Sequence, residues 1–218
     1  MHEPLPLAGR TIIEHVDAAS SDVVVRAIAI AGRIAADLGA AVIRRVATSD
    51  PLAGHPNDHR FLNGGKIVAS ADAAANRDAD AVLADAGRVL PESLGHVPVK
   101  VMVGHGVPAA LGVPDASVTD TTILALSGLL DLIGAPDQAP VPLGGHQASG
   151  VAGLAAFSGM MAAFAAGKPE TVQVSALEAC LWSNWKSYAE RLYMGRSPTR
   201  QGRPARRPRA VPASMRRA

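Results

Sequence analysis

Three short stretches hold the residue types that chemistry needs. Leu143-Gly144-Gly145-His146-Gln147-Ala148-Ser149 puts an imidazole three residues ahead of a hydroxyl, at the entrance to a long apolar run. A helix starting there presents amides that favour developing negative charge, so His146 and Ser149 are a candidate base and nucleophile. Each also has an ordinary reading, as a loop histidine and a helix N-cap serine. Arg44 and Arg45 close a β-branched run, and Asn63-Gly64-Gly65-Lys66 sets a cation beside two glycines. Arginine grips phosphate through a planar fork and a glycine pair exposes backbone amides, so both stretches are candidate anion sites. The plainer alternatives are a surface pair of arginines and a glycine turn with a solvated lysine.

Other chemistries lack their residues. The glycine-lysine run is not a P-loop, because Arg60 stands at the first glycine position and Ile67 replaces the metal-binding Ser or Thr. No Gly-x-Gly-x-x-Gly follows the first strand candidate. The seven histidines show no metal-ligand spacing, so no metal is expected. The single cysteine, Cys180, lies in an apolar stretch beside Leu181 and Trp182 and reads as a buried, inert thiol. With no second cysteine to pair with, a disulfide scaffold is excluded and a reducing, cytoplasmic setting is expected.

The elements that must position these residues alternate in type. TIIEHV (11–16), AVIRRV (41–46), 66–69, 81–84 and VPVKVMV (97–103) read as strands, with a helix over 23–38 ending at Gly39 and a short one over 71–77. Residues 49–65 read as a polar loop. Beyond a loop at 106–117, helices are expected over 120–133 and 148–166. A strand at 171–174 then runs into the capping box Ser175-Ala-Leu-Glu178, which opens a helix of about 18 residues. Repeated strand, helix, strand predicts an α/β fold with a doubly wound parallel sheet.

The charge is divided along the chain. The 218 residues carry 21 Lys and Arg against 19 Asp and Glu, a net charge of +2. Six of the arginines fall in residues 201–218, which hold no acid, so the remaining 200 residues carry 15 basic groups against 19 acids, a net −4. The basic segment has no aromatic residue to stack a base, so nucleic acid is not an expected partner. It is also too poor in apolar residues to pack, and is expected to be disordered. No secretory signal opens the chain, and prolines and glycines before Val151 leave 151–166 shorter than the ~20 residues of a bilayer span, so a buried core helix is expected there.

Seven segments in order resemble a family III CoA-transferase, the group of formyl-CoA transferase, carnitine CoA-transferase and α-methylacyl-CoA racemase. They are Pro6-Leu-Ala-Gly9; Ala36-Asp-Leu-Gly-Ala-Ala-Val-Ile-Arg44; Phe61-Leu-Asn-Gly-Gly-Lys66; Asp78-Ala-Asp-Ala-Val-Leu83; Ala125-Leu-Ser-Gly-Leu129; Val151-Ala-Gly-Leu154; and VQVSALEA over 172–179. The resemblance covers residues 6–202 and is to the N-terminal part of such an enzyme. It implies a Rossmann-like large domain over 1–202, acyl-CoA and a small carboxylic acid as substrates, coenzyme A contacts near Arg44, Arg45, Asn63, Lys66 and Asp85, and a homodimer or a heteromer with a related chain. In the family a carboxylate attacks the thioester and CoA then passes to a new acid.

This sequence departs from that pattern. Ser149 stands at the family's catalytic Asp, Thr119 at the racemase branch's His, and Asp85-Ala86 where the CoA loop has Asn and an aromatic. A serine cannot form the mixed anhydride, and His146 is the one local base. A divergent enzyme and a catalytically inactive binding or partner subunit therefore both stand as readings. The turn into Arg-Pro-Ala-Arg-Arg-Pro after Gly202 leads to the expectation that 203–218 is an out-of-frame or degenerate end.

Overall fold

Thr11–Val16 (β1) and Ala41–Val46 (β2) form adjacent parallel strands, in register from Thr11 opposite Ala41 to Val16 opposite Val46. Their β-branched residues are buried on both faces, as a central parallel strand requires. They belong to a computed structural model that describes residues 4–46, 49–70, 78–198 and 200. The helix foreseen over 71–77 and the basic segment 203–218 lie outside the described residues.

Ile67–Ser70 (β3), Ala81–Asp85 (β4), Val99–Gly104 (β5) and Glu170–Ser175 (β6) complete a parallel sheet in the order β3-β2-β1-β4-β5-β6. The order reverses between β1 and β4, which opens a crevice at the carboxyl ends of the strands. Helix α1 (Asp22–Asp37) joins β1 to β2, and α2 (Pro56–Asn63) precedes β3. Helices α3 (Asp120–Leu126) and α4 (Gln147–Ala166) lie between β5 and β6. Helices α5 (Ala176–Ser183) and α6 (Trp185–Met194) follow β6.

The strands alternate their side chains between two apolar layers. Ile12, Val42, Leu83 and Val101 pack with α1 and α4, while Ile13, Val82, Ala84, Leu94 and Val97 form a smaller core on the other face. Helix α4 buries a stripe of small residues, Ala148, Ala152, Gly153 and Ala156. A Cβ at Gly153 would come within 2.7 Å of Ile30 and 2.9 Å of the Ala27 carbonyl oxygen, so a side chain there would push α4 off α1. At 20 residues with a mean hydropathy of 1.5, α4 is long and apolar enough to cross a membrane by length and composition, yet here it packs against α1, α5, β5 and β6.

Three elements differ from the sequence reading. The supposed loop 49–65 contains α2, opened by Pro56 at its first position. The helix expected over 120–133 ends at Leu126, because Gly128 takes a left-handed φ of 73°. The long final helix is two helices, α5 and α6, interrupted at Asn184, whose side-chain amide donates to the Ser127 carbonyl at 2.9 Å.

Candidate functional site

The residues singled out in the sequence fall into three separate places. Arg44, Asn63 and Lys66 meet around Glu14 of β1 in a buried charge cluster. Arg44 donates to Glu14 at 2.7 Å and grips Asp50 through two bonds of 2.7 and 2.9 Å. Lys66 donates to Glu14 Oε1 at 2.5 Å, to the Ala29 carbonyl at 2.8 Å and toward Asn63 Oδ1 at 3.4 Å. The side chains of Glu14, Arg44 and Lys66 are fully buried. Gly32 of α1 makes room for them, since a Cβ there would collide with the Glu14 carboxylate.

Burial works against the Arg44 cation, but hydrogen bonds and charge from Asp50 and Glu14 outweigh it and raise its pKa. For Lys66 burial prevails over the pull of Glu14, and its pKa is lowered. A ligand phosphate could reach neither cation without displacing a carboxylate. The expected role of Arg44, Asn63 and Lys66 as CoA contacts is corrected to an internal lock between β1, β2, β3 and α1. Arg45 sits elsewhere, 5% exposed, opposite His15 in the strand register.

The second place is the start of α4. His146 caps the helix with a left-handed φ of 52°, the one non-glycine among the described residues with positive φ. Its side chain is 40% exposed, with Nε2 3.5 Å from Asp58 Oδ2. Ser149 is fully buried and donates its hydroxyl to Asp120 Oδ1 at 2.5 Å. The same carboxylate accepts the amides of Ala148 at 2.7 Å and Ser149 at 3.0 Å. Asp120 of α3 therefore caps α4 from outside. This corrects the pairing of Ser149 with His146 as base, because each side chain has a different carboxylate partner. Sequence reasoning missed Asp120, 29 residues from Ser149; its one local signal is an acid just after Thr119, which caps α3.

The third place is a crevice of about 430 Å³ at the carboxyl ends of β4, β5 and β6. Asp85 lines it, as do Ser21 at the start of α1, Arg88, His105, Asp115 and Glu178. Asp85 Oδ1 accepts the Gly87 amide at 2.8 Å. His105 Nδ1 accepts the Val107 amide at 2.9 Å, which leaves Nε2 as the protonated nitrogen, 3.2 Å from Asp115 Oδ1. Gly106, at φ 75°, lets the Ser175 hydroxyl pack where a Cβ would collide with it. The sequence reading found Asp85 but not His105, whose signal was its place one residue beyond β5.

Comparison with known proteins follows the same division. Residues 112–216, which supply Asp115 and the β6–α5 wall of the crevice, match CoA-transferase family III. A CaiB/BaiF family protein from Brucella suis superposes with a TM-score of 0.74 at 23% identity, over 92% of this chain and 61% of that one. Residues 112–216 are thus similar to CoA-transferase family III, and the chain has the fold of the CaiB/BaiF family protein.

A hypothetical protein from Mycobacterium tuberculosis, Rv3272, has the same fold at a TM-score of 0.65 and 18% identity, over 88% of this chain and 61% of that one. Its orthorhombic form gives 0.63 at 16% identity, covering 88% and 60%. The chain thus spans about three-fifths of the length of these solved structures. No curated protein matches it. The family match runs to residue 216, past Gly202, where the sequence reading ended the resemblance.

Proposed function

We propose that this CoA-transferase-like chain binds acyl-CoA and exchanges CoA between carboxylic acids, with the crevice at β4–β6 receiving the thioester end. The observation that carries this reading is the crevice itself. Its size lies within the roughly 300–1,000 Å³ typical of ligand pockets. It sits where open α/β sheets bind ligands, and two of its walls come from the family-matching segment. In this reading an enzyme carboxylate attacks the thioester carbonyl, the C–S bond breaks and CoA leaves as the thiolate; the thiolate then attacks the enzyme's carbonyl of the resulting anhydride, the first acid departs, and the second acid takes CoA from the enzyme thioester through the same two steps in reverse. The homodimer implied by the resemblance belongs to the same proposal.

A second reading, acyl-CoA binding without turnover, is favoured by one observation: Asp120 and Ser149 satisfy each other at the start of α4. Thermal unfolding with a panel of acyl-CoAs tests the shared part. Ligand at about 100 times its Kd adds about 2.7 kcal/mol to stability, a clear rise in Tm. Ala86→Trp, which places a bulky ring on an exposed wall of the crevice, is expected to abolish that rise, and no rise with any acyl-CoA overturns the proposal. Transfer of CoA from a bound acyl-CoA to a second carboxylic acid, followed by chromatography of the thioesters, separates turnover from binding alone.

A further inference from the structure

His105 stands one residue beyond β5, at the strand end where open parallel sheets meet their ligands. The chain turns there, and two backbone contacts hold the residue in place. The Val107 amide folds back to donate to Nδ1 at 2.9 Å, and the His105 carbonyl accepts the Leu177 amide of α5 at 3.0 Å. The first bond orients the ring and sets its tautomer. Nδ1 gives its lone pair to the amide, so Nε2 carries the proton and acts as a donor.

The Nε2 edge of the ring turns away from that backbone and toward the crevice. Nε2 lies 3.2 Å from Asp115 Oδ1, and both residues line the cavity. The imidazole is 19% exposed, but the Asp115 side chain is 61% exposed. A contact at the long end of the hydrogen-bond range, to a carboxylate open to water, is worth little and is readily exchanged. The N–H is therefore held rigidly on the protein side and loosely on the ligand side. Other side-chain donors on the wall are less well placed to receive a ligand atom. Arg88 is engaged by the Ala19 carbonyl, and Gln173 is an exposed, long side chain whose ordering would cost entropy.

We infer that the Nε2–H of His105 is the donor that receives the carbonyl oxygen of the thioester. The inference rests on the acyl-CoA reading and deepens it, by naming the group that orients the reacting carbonyl. A thioester oxygen is a neutral acceptor, so it replaces Asp115 on the ring without adding charge to the crevice. When a carboxylate adds to the carbonyl carbon, negative charge gathers on that oxygen and the same hydrogen bond strengthens.

Two ligands that differ only at the carbonyl provide the test: propionyl-CoA and S-propyl-CoA, a thioether with CH2 in place of C=O. Each is titrated calorimetrically into the full chain. One net hydrogen bond corresponds to about threefold to tenfold tighter binding of propionyl-CoA. His105→Asn keeps an acceptor near the place of Nδ1 and removes the N–H at Nε2. It should erase the preference by weakening propionyl-CoA alone, whereas a merely structural histidine would weaken both ligands together. His105→Gln returns an amide N–H near the place of Nε2 and should restore part of the preference. Asp115→Ala, at an exposed position, carries the test even where the His105 variants do not fold. It removes the competing acceptor and should widen the preference, and an unchanged or narrower one overturns the inference. Equal binding of the two ligands by the wild-type chain, or a preference that survives in His105→Asn, overturns it while leaving acyl-CoA binding in place. If neither ligand binds, the acyl-CoA reading fails and the inference fails with it.

Discussion

Arg44 shows how a charged residue can be located correctly in sequence and still be misread in role. Its place near the end of a strand is where an anion site would be, but the partners that decide its role, Glu14 and Asp50, come from β1 and the loop after β2. Removing one member of a buried ion network leaves the others uncompensated. Arg44→Met is therefore expected to cost on the order of 3–5 kcal/mol in urea unfolding. A loss below about 1 kcal/mol would mean that the cluster is open to water. Two further groups set the acid side of stability. His15 is held below its ordinary 6.5 by burial and then by the Arg45 cation, against a pull from Asp17. Asp50 is held below 3.8: burial alone would raise it, but hydrogen bonds from Arg44 and the Leu52 amide prevail. In both cases the unfolded chain takes up protons at a higher pH than the folded one, so acid favours unfolding. Stability should fall as pH drops below 6.5, and again below 3.8. His15→Asn should remove the first step alone, as read from urea midpoints between about pH 3 and about pH 8.

At the scale of elements, what was legible in the sequence is what local pattern controls. β1 and β2 are bounded as read because β-branched runs buried on both faces carry their own signature. Helix α2 was hidden in a polar stretch with two buried residues, Leu62 and Asn63, so no apolar period marks it. The start of α4 was hidden for another reason: its cap, Asp120, comes from a different helix. The candidate site divides in the same way. Asp85 was singled out only through the family resemblance, while the Ser21–His105–Glu178 crevice exists only once α1, β5 and α5 converge. The α1–α4 crossing gives an element-scale prediction. Gly→Ala inside a helix gains up to about 1 kcal/mol where space is open, while overpacking a tight core costs about 1–3 kcal/mol. A Cβ at Gly150 meets nothing within 4 Å, whereas one at Gly153 meets Ile30 at 2.7 Å and backbone at 2.9 Å. Gly150→Ala should therefore raise the urea midpoint and Gly153→Ala, three residues on, should lower it. Equal effects from the two would show that α4 and α1 are not in contact.

For the whole molecule the apolar residues are unevenly covered. The central strands of the sheet are covered, but Ile67 and Val68 of β3 are exposed and α6 buries no residue of its own. Trp182 is 78% exposed, Trp185 55%, Leu192 79% and Tyr193 83%. These include both tryptophans of the chain. Neighbouring large apolar side chains left in water mark a surface that gains free energy on being covered. The proposed homodimer would cover it by an isologous contact, the same patch on both copies. That places the only two indoles at the interface, so fluorescence reports its formation directly. Concentrated protein should show blue-shifted emission that moves to the red on dilution by about a hundredfold, in step with a halving of mass by sedimentation. Trp185→Ser should bring on the red-shifted, monomeric state at higher concentration while leaving the fold intact, since the side chain contributes nothing to the core. A mass and emission that do not change with concentration, with both indoles readily quenched by acrylamide, would remove the homodimer from the proposal and leave the crevice and its ligand to be judged on a single chain.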